Sequence, residues 1–122
     1  MSTTFRSAIE SHDVESAIAL LTDDVEFHSP VVHSPYRGRD AVAPILRAVV
    51  EVFEDFRYVR EVDAADGADQ ALVFQARVGD RQLEGIDLLR LDAAGSITEL
   101  TVMIRPLSAL QAVATAMRDK LT

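Results

Sequence analysis

The sequence has no cysteine and no tryptophan, and its only lysine is Lys120. Without cysteine the chain cannot form a disulfide or a thiolate-bound zinc site, so a metal site would need histidine and carboxylate ligands. No stretch reaches the roughly 20 consecutive apolar residues that a membrane-spanning helix requires. The first ten residues also lack the basic segment and apolar run of a signal peptide. The sequence therefore predicts a cytoplasmic protein with no membrane partner.

Basic residues are outnumbered, with 12 against 20 acidic residues and a formal net charge of −8 at pH 7. Because no basic cluster offsets this charge, nucleic acid is excluded as a partner by electrostatic repulsion. The apolar fraction of 48% and the length of 122 residues are typical of one globular domain. We therefore expect a single domain covering residues 1–122.

Apolar residues recur at helical spacing in four parts of the chain. The first predicted helix runs from Ser2 to Glu10, and the second begins after the capping residue Asp13 and ends near Thr22. The third starts at Asp40, and Pro106 opens the fourth. The apolar stripe of the third helix comprises Val42, Ile45, Leu46, Val49, Val50, Phe53 and Phe56, and that of the fourth comprises Leu107, Leu110, Ala114, Met117 and Leu121.

Alternation of apolar and polar residues predicts a short strand at residues 25–29 and four more at 57–64, 70–78, 81–92 and 96–105. The last four are joined by short links rich in glycine and aspartate, which favour antiparallel hairpins. The element order predicts an α+β fold with a cone-shaped, curved sheet that is mixed or antiparallel. The N-terminal helices and the long helix would cover its concave side, and the last helix would close it. The interior of such a cone is the expected ligand site.

Asp87 is the one charged residue on an otherwise apolar face of the predicted strand 81–92. If that face lines the cone, burial raises the pKa of the carboxyl group and makes it a general acid or hydrogen-bond donor. The alternative is a structural carboxylate paired with an arginine or a backbone amide. The residues that share its face are Leu83, Gly85, Leu89 and Leu91.

The dipeptide His-Ser followed by proline occurs twice between residues 28 and 35. Strand parity puts His28 with Glu26 on the outer face, away from Phe27 and Ser29. His33 lies in the following loop, where it could act as a base at the rim, although a loop histidine without a role is the alternative. A metal site built on both histidines is disfavoured because their rings diverge and no third ligand is near in sequence.

The remaining candidate ligand contacts are polar residues at the rim and apolar residues of the wall. Ser29 and Tyr36 offer hydroxyl groups near the rim, with local backbone capping and surface packing as their respective alternatives. The apolar candidates, which could equally be plain core, are Phe5, Phe27, Leu46, Phe53, Phe74, Leu100, Val102 and Ile104. Glu99, Thr101 and Met103 alternate to the outer face, where cover by a second copy would give a homodimer.

Three segments carry a family resemblance: HDVESAIALLTDDVEFHSP from residue 12, PYRGRDAV from residue 35, and GIDLLRLDAAGSITELTVMIRP from residue 85. Over nearly its whole length the chain resembles the SnoaL-like and ketosteroid-isomerase-like branch of the nuclear-transport-factor-2-like superfamily. The resemblance implies a cone-shaped fold and a dimer. It does not specify a reaction, because this fold serves isomerases, cyclases, hydrolases, dehydratases and proteins without catalytic activity.

Ketosteroid isomerases use an aspartate base, a tyrosine, and a protonated aspartate that stabilises the enolate oxygen. By position the resemblance puts these roles on Ser29, Phe5 and Asp87, and only Asp87 is the required residue type. This departure disfavours the isomerase reaction, since serine is no base by itself and phenylalanine donates no hydrogen bond. The limonene-epoxide-hydrolase branch needs an Asp-Arg-Asp set, and the spacing of Arg90 from Asp87 puts these two side chains on opposite faces.

These observations predict a cofactor-free protein that binds a small apolar molecule carrying a carbonyl or hydroxyl group. Asp87 would be its acid or donor, and His33 would act at the rim. Any reaction would resemble that of an isomerase, a dehydratase or a polyketide cyclase. The alternative is a non-catalytic ligand-binding or dimerisation module, so whether the protein is an enzyme stays open.

Overall fold

The computed structural model describes residues 4–121, which form four helices and a six-stranded curved sheet. The helices are α1 (Phe5–Glu10), α2 (Val14–Ala19), α3 (Arg39–Val52) and α4 (Leu107–Leu121). The strands are β1 (Leu21–His28), β2 (Tyr36–Arg37), β3 (Glu54–Asp63), β4 (Asp69–Val78), β5 (Arg81–Leu91) and β6 (Ile97–Arg105). The predicted α+β class is confirmed. No helix in this part of the chain is long and apolar enough to cross a membrane.

The sheet is mixed, with the strand order β2-β1-β6-β5-β4-β3. Strands β3 to β6 form the predicted antiparallel meander, and β1 joins it by pairing parallel to β6. α3 packs against β1 and α4, while α4 also contacts β4, β5 and β6. The two long helices therefore cover one face of the sheet, and no helix within residues 4–121 covers the other face.

The second helix is shorter than predicted, because it ends at Ala19 and Leu21 already belongs to β1. Leu21 is almost fully buried and is paired with Ile97 of β6, whose backbone N–H donates to the carbonyl oxygen of Leu20. This parallel pairing outweighs the local helical spacing that placed the helix end near Thr22. The predicted strand at residues 25–29 is therefore only the second half of a longer one. Of the predicted first helix, the start at Ser2 lies outside the described residues.

The apolar stripe predicted for α3 continues past the point where the helix ends. Phe53 is the extended C-cap residue, and Phe56 belongs to β3. Between them the backbone of Asp55 turns into the left-handed region, with φ of 53°. Both rings still pack toward the core. The i, i+3 spacing therefore predicts the burial of Phe53 and Phe56 correctly and their secondary structure incorrectly.

The apolar seam predicted for α4 is also displaced. The fully buried positions of this helix are Ala109 and Val113, neither of which belongs to the predicted seam, while Leu107 is 68% exposed. The predicted seam therefore includes Met117, which packs against the core, but not the two most buried positions.

The Gly-Arg-Asp helix start is explained by contacts to β1. Gly38 has φ of 93°, a conformation that L side chains rarely adopt, and its N–H donates to the carbonyl oxygen of Val25. The guanidinium of Arg39 donates to the carbonyl oxygen of Leu21 and lies 3.1 Å from the carboxylate of Asp23. These contacts fix the start of α3 against β1.

Candidate functional site

A cavity of about 990 Å³ lies between the concave face of the sheet and the helices. This volume is at the upper end of the range for small-molecule sites, about 300–1,000 Å³. Its wall is mainly apolar. The predicted site residues that line it are Phe5, Phe27, Ser29, Tyr36, Leu46, Phe53, Phe74, Asp87, Leu100, Val102 and Ile104.

Asp87 is the only charged side chain that is buried among the described residues, with 7% of its surface exposed. Strand pairing sets it between Leu72 of β4 and Val102 of β6 on the concave face. Burial in these apolar surroundings raises the pKa of its carboxyl group from 3.8 to about 7. The group can therefore be neutral and donate a hydrogen bond at physiological pH.

Tyr58 of β3 completes this part of the site. Its hydroxyl group donates a 2.8 Å hydrogen bond to Oδ2 of Asp87, and its ring is as deeply buried as the carboxyl group. Burial and the adjacent carboxylate raise the pKa of Tyr58 above its ordinary value, so the phenol stays protonated. The hydrogen bond opposes the effect of burial by lowering the pKa of Asp87. Tyr58 thus fixes one carboxyl oxygen and leaves Oδ1 as the oxygen that can carry the proton.

Tyr58 is not among the site residues predicted from the sequence. In the structure Tyr58 is paired with Phe74, a predicted cavity residue, and both side chains lie on the concave face. Irregular register between residues 54 and 57 and again between 58 and 60 interrupts the alternation in β3. Counting parity along that strand would therefore not predict which face Tyr58 occupies.

Four aromatic rings form one wall of the cavity beside this pair. The ring of Phe56 stacks on Phe74 at a centroid distance of 5.0 Å and meets the ring of Tyr58 edge-on at 4.9 Å. Phe53 lies 5.6 Å from Phe74 and 5.9 Å from Phe56. Because the rings hold one another in place, they present a rigid apolar surface next to the carboxyl group.

Arg6 packs over the face of the Tyr58 ring. Its guanidinium carbon lies 5.8 Å from the ring centroid, within the range of a cation–π contact. The same guanidinium is held by Glu10 at 3.2 Å and by Glu61 at 3.1 Å. This arrangement ties α1 to β3 and restrains the tyrosine that contacts Asp87.

The three histidines are in different surroundings. His28 lies on the outer face, as its parity predicts, with Nε2 2.9 Å from Glu26. His33 belongs to the exposed loop after β1 and is not among the residues of the cavity lining, so the structure does not bring it to Asp87. His12, which joins α1 to α2, does line the cavity. The other two histidines are the sequence candidates because they belong to the His-Ser-Pro repeat.

The hydroxyl oxygen of Ser29 accepts hydrogen bonds from the backbone N–H groups of Val31 and Val32. This is the local capping role weighed as its alternative, although the residue also lines the cavity. Arg90 points away from Asp87 and lies 3.4 Å from Asp69, as strand parity predicts. Within residues 4–121, no three histidine, aspartate or glutamate side chains come together as a possible metal site.

Residues 3–100 match the SnoaL-like domain family. The chain belongs to this family. It is similar to a steroid delta-isomerase from Pseudomonas aeruginosa, with 45% identity and a TM-score of 0.90 over 93% of this chain and 83% of that one. It is also similar to an uncharacterised bacterial protein with a cystatin-like fold from Silicibacter pomeroyi, with 35% identity and a TM-score of 0.89 over 96% and 82% of the two chains.

A nuclear-transport-factor-2-like protein of unknown function from Cytophaga hutchinsonii shares the fold alone. It is 18% identical with a TM-score of 0.65, and the match covers 90% of this chain and 97% of that one. No curated protein matches the chain. The comparisons thus establish the SnoaL-like family and the cone-shaped fold.

Proposed function

We propose that this SnoaL-like protein binds an apolar molecule carrying a carbonyl or hydroxyl group and moves protons on it without a cofactor. The observation that carries the proposal is the buried Tyr58–Asp87 hydrogen bond, 2.8 Å long, at the wall of an apolar cavity. A neutral Asp87 would donate from Oδ1 to the ligand oxygen. As negative charge develops on that oxygen, the buried donor stabilises it more strongly than a donor in water would.

The reaction class is that of an isomerase, a dehydratase or a polyketide cyclase, in which a proton moves next to a carbonyl group. Similarity to the Pseudomonas aeruginosa steroid delta-isomerase favours the first of these. The volume of about 990 Å³ and the aromatic wall suit a ligand with several fused rings. Asp87 is the acid, and Tyr58 is the positioning residue that acts through it.

A non-catalytic binding module is the second candidate, and Ser29 favours it. The superfamily resemblance puts the base of ketosteroid isomerases at this position, and the Ser29 hydroxyl group is instead occupied by two backbone N–H groups. Catalysis then requires a proton acceptor elsewhere in the cavity, and a binding module requires none.

Two measurements on the same preparation separate these candidates. The first is fluorescence titration with 2-naphthol, an apolar hydroxyl compound whose emission is easily read in a chain without tryptophan. We expect Asp87→Leu to weaken its affinity about five- to tenfold, the value of one lost hydrogen bond. Asp80→Asn is the matched control, since the Asp80 side chain is 99% exposed. Absence of 2-naphthol binding by the wild type would overturn the proposed site.

The second measurement follows androst-5-ene-3,17-dione, whose isomerisation creates a conjugated enone with a strong ultraviolet absorbance. If Asp87 stabilises the transition state, Asp87→Asn should lower kcat about 100-fold while 2-naphthol still binds. Binding of 2-naphthol without turnover of this ketone would favour the binding module.

The protein is proposed to form a homodimer through the outer face of the sheet. Met103 of β6 is 53% exposed on this face. It forms a row across the sheet with Ile86 of β5 and Val73 of β4. The adjacent row contains the exposed side chains of Leu88 and Val62. An apolar surface of this kind, left uncovered by the helices, is typical of an interface between copies. The cytoplasmic location stays a prediction of the sequence.

A further inference from the structure

Besides Asp87, four side chains that line the cavity carry an atom that could act as a base: Glu10, His12, Asp13 and Asp55. Three of them are engaged by neighbours. Glu10 lies 3.2 Å from the guanidinium of Arg6, and Asp55 lies 2.7 Å from Nε of Arg77. Each carboxylate is therefore held as the partner of an arginine.

Asp13 is engaged as the N-cap of α2. Its two carboxylate oxygens accept from the backbone N–H of Ser16 at 3.2 Å and from the Ser16 hydroxyl group at 2.6 Å. These bonds lower the pKa of Asp13, which makes it a weaker base than a free aspartate. Within residues 4–121, His12 has no hydrogen bond or ion pair to occupy its imidazole ring.

The backbone of His12 is also unusual. Its φ of 60° is left-handed, and its N–H donates to Ile9 while the N–H of Asp13 donates to Ala8. This pattern ends α1 at a position where glycine is the common residue, because a Cβ is disfavoured there. A side chain other than glycine in this left-handed conformation, on a cavity wall, points to a role for that side chain.

We propose that His12 is the proton acceptor of the cavity. This inference rests on the proposed function, since it requires a ligand with its oxygen at Asp87. A neutral imidazole nitrogen takes the proton from the carbon beside the carbonyl, and the electron pair of that C–H bond forms the enolate. The imidazolium then returns the proton to the carbon at the far end of the dienolate. The double bond shifts and no co-reactant is consumed.

The test compares variants of all three histidines in the isomerisation of androst-5-ene-3,17-dione. His12→Asn keeps a polar side chain that tolerates the left-handed backbone but cannot act as a base. We expect kcat to fall about 100-fold or more, with 2-naphthol affinity unchanged. His28→Asn and His33→Asn are the matched controls, because neither histidine lines the cavity, and both should retain wild-type turnover.

His12→Gly provides a second test, because the result expected for a base differs from the result expected for a purely structural residue. Glycine relieves the backbone strain, so the melting temperature should rise while turnover is lost. Added imidazole should restore part of that turnover by entering the space of the missing ring.

Wild-type kcat in His12→Asn would overturn the inference, as would a parallel loss of 2-naphthol affinity, which indicates a structural role. If the wild type binds 2-naphthol but does not isomerise the ketone, this inference falls and the proposed binding site stands. Failure of the wild type to bind 2-naphthol would overturn the proposed site itself.

Discussion

The ring of Phe74 lies directly against Gly85 on the neighbouring strand. A Cβ atom on Gly85 would come within 2.3 Å of Cζ of Phe74 and within 2.7 Å of the carbonyl oxygen of Met103. The two residues are paired across β4 and β5, two positions before Asp87. Gly85 therefore creates the space in which the central ring of the aromatic wall sits.

Gly85→Ala should destabilise the fold by about 1–3 kcal/mol, because one contact is to backbone and the Phe74 ring must move into the cavity. Gly67→Ala is the control. Gly67 has φ of 75° and open space around its Cβ position, so that variant measures a backbone cost alone, of about 1 kcal/mol. Urea unfolding of both variants checks the difference. A smaller loss in Gly85→Ala than in Gly67→Ala would contradict the packing described.

Tyr58→Phe tests the hydrogen bond to Asp87. Since that bond lowers the pKa of Asp87, its removal should raise the pKa above the wild-type value of about 7. The carboxyl group also loses its donor, at a cost of about 1–3 kcal/mol in the free energy of unfolding. Carboxyl carbon NMR across a pH titration measures the pKa, with Asp87→Asn for assignment.

Tyr36→Phe is the matched control for this experiment. Tyr36 is partly exposed, and its ring packs on Phe27 at 6.2 Å. Removing its hydroxyl group should leave the pKa of Asp87 unchanged. An unchanged pKa in Tyr58→Phe as well would mean that the phenol does not contact the carboxylate in solution.

The Asp87 carboxyl group should also make stability depend on pH. Its pKa is about 7 in the folded state and 3.8 in the absence of burial, so between these values the folded state binds the extra proton. The free energy of unfolding therefore falls as pH rises from about 4 to 7, by roughly 4 kcal/mol in total from this group, and is constant above that range.

Asp87→Asn removes this contribution and retains an oxygen that accepts from Tyr58. Relative to the wild type it should be more stable at pH 8, and the difference should shrink toward pH 4. Urea unfolding at several pH values measures this, with the exposed Asp80→Asn as the control. A stability difference that does not change with pH would show that Asp87 titrates normally.

How far the sequence predicts this site depends on how regular each strand is. Alternation in β5 is regular from Leu83 to Leu89, so parity alone predicts that Asp87 shares the concave face with these two residues, as it does in the structure. In β3 the register shifts twice, and parity did not reveal that Tyr58 faces Asp87. A bulge adds one residue to a strand, and no strong feature of the sequence shows where it occurs. Parity therefore cannot be counted across it.

His12 was missed for a different reason. Its distinguishing features are a left-handed φ and a place on the cavity wall, and both arise from the way α1 ends against α2. Neither property is encoded in a periodic pattern. The His-Ser-Pro repeat is easily noticed in the sequence, but neither of its histidines belongs to the cavity lining. His28 lies on the outer face of the sheet and His33 in an exposed loop.

Met103→Lys tests the proposed homodimer. At an interface between identical copies, one substitution introduces two like charges into the apolar outer face, so the dimer dissociation constant should rise about 100-fold or more. Leu107→Lys is the matched control, because Leu107 is an exposed apolar residue at the start of α4 rather than on the sheet. Sedimentation equilibrium measures both variants against the wild type. A monomeric wild type would contradict the dimer, and equal weakening by both substitutions would locate the interface elsewhere than on the sheet.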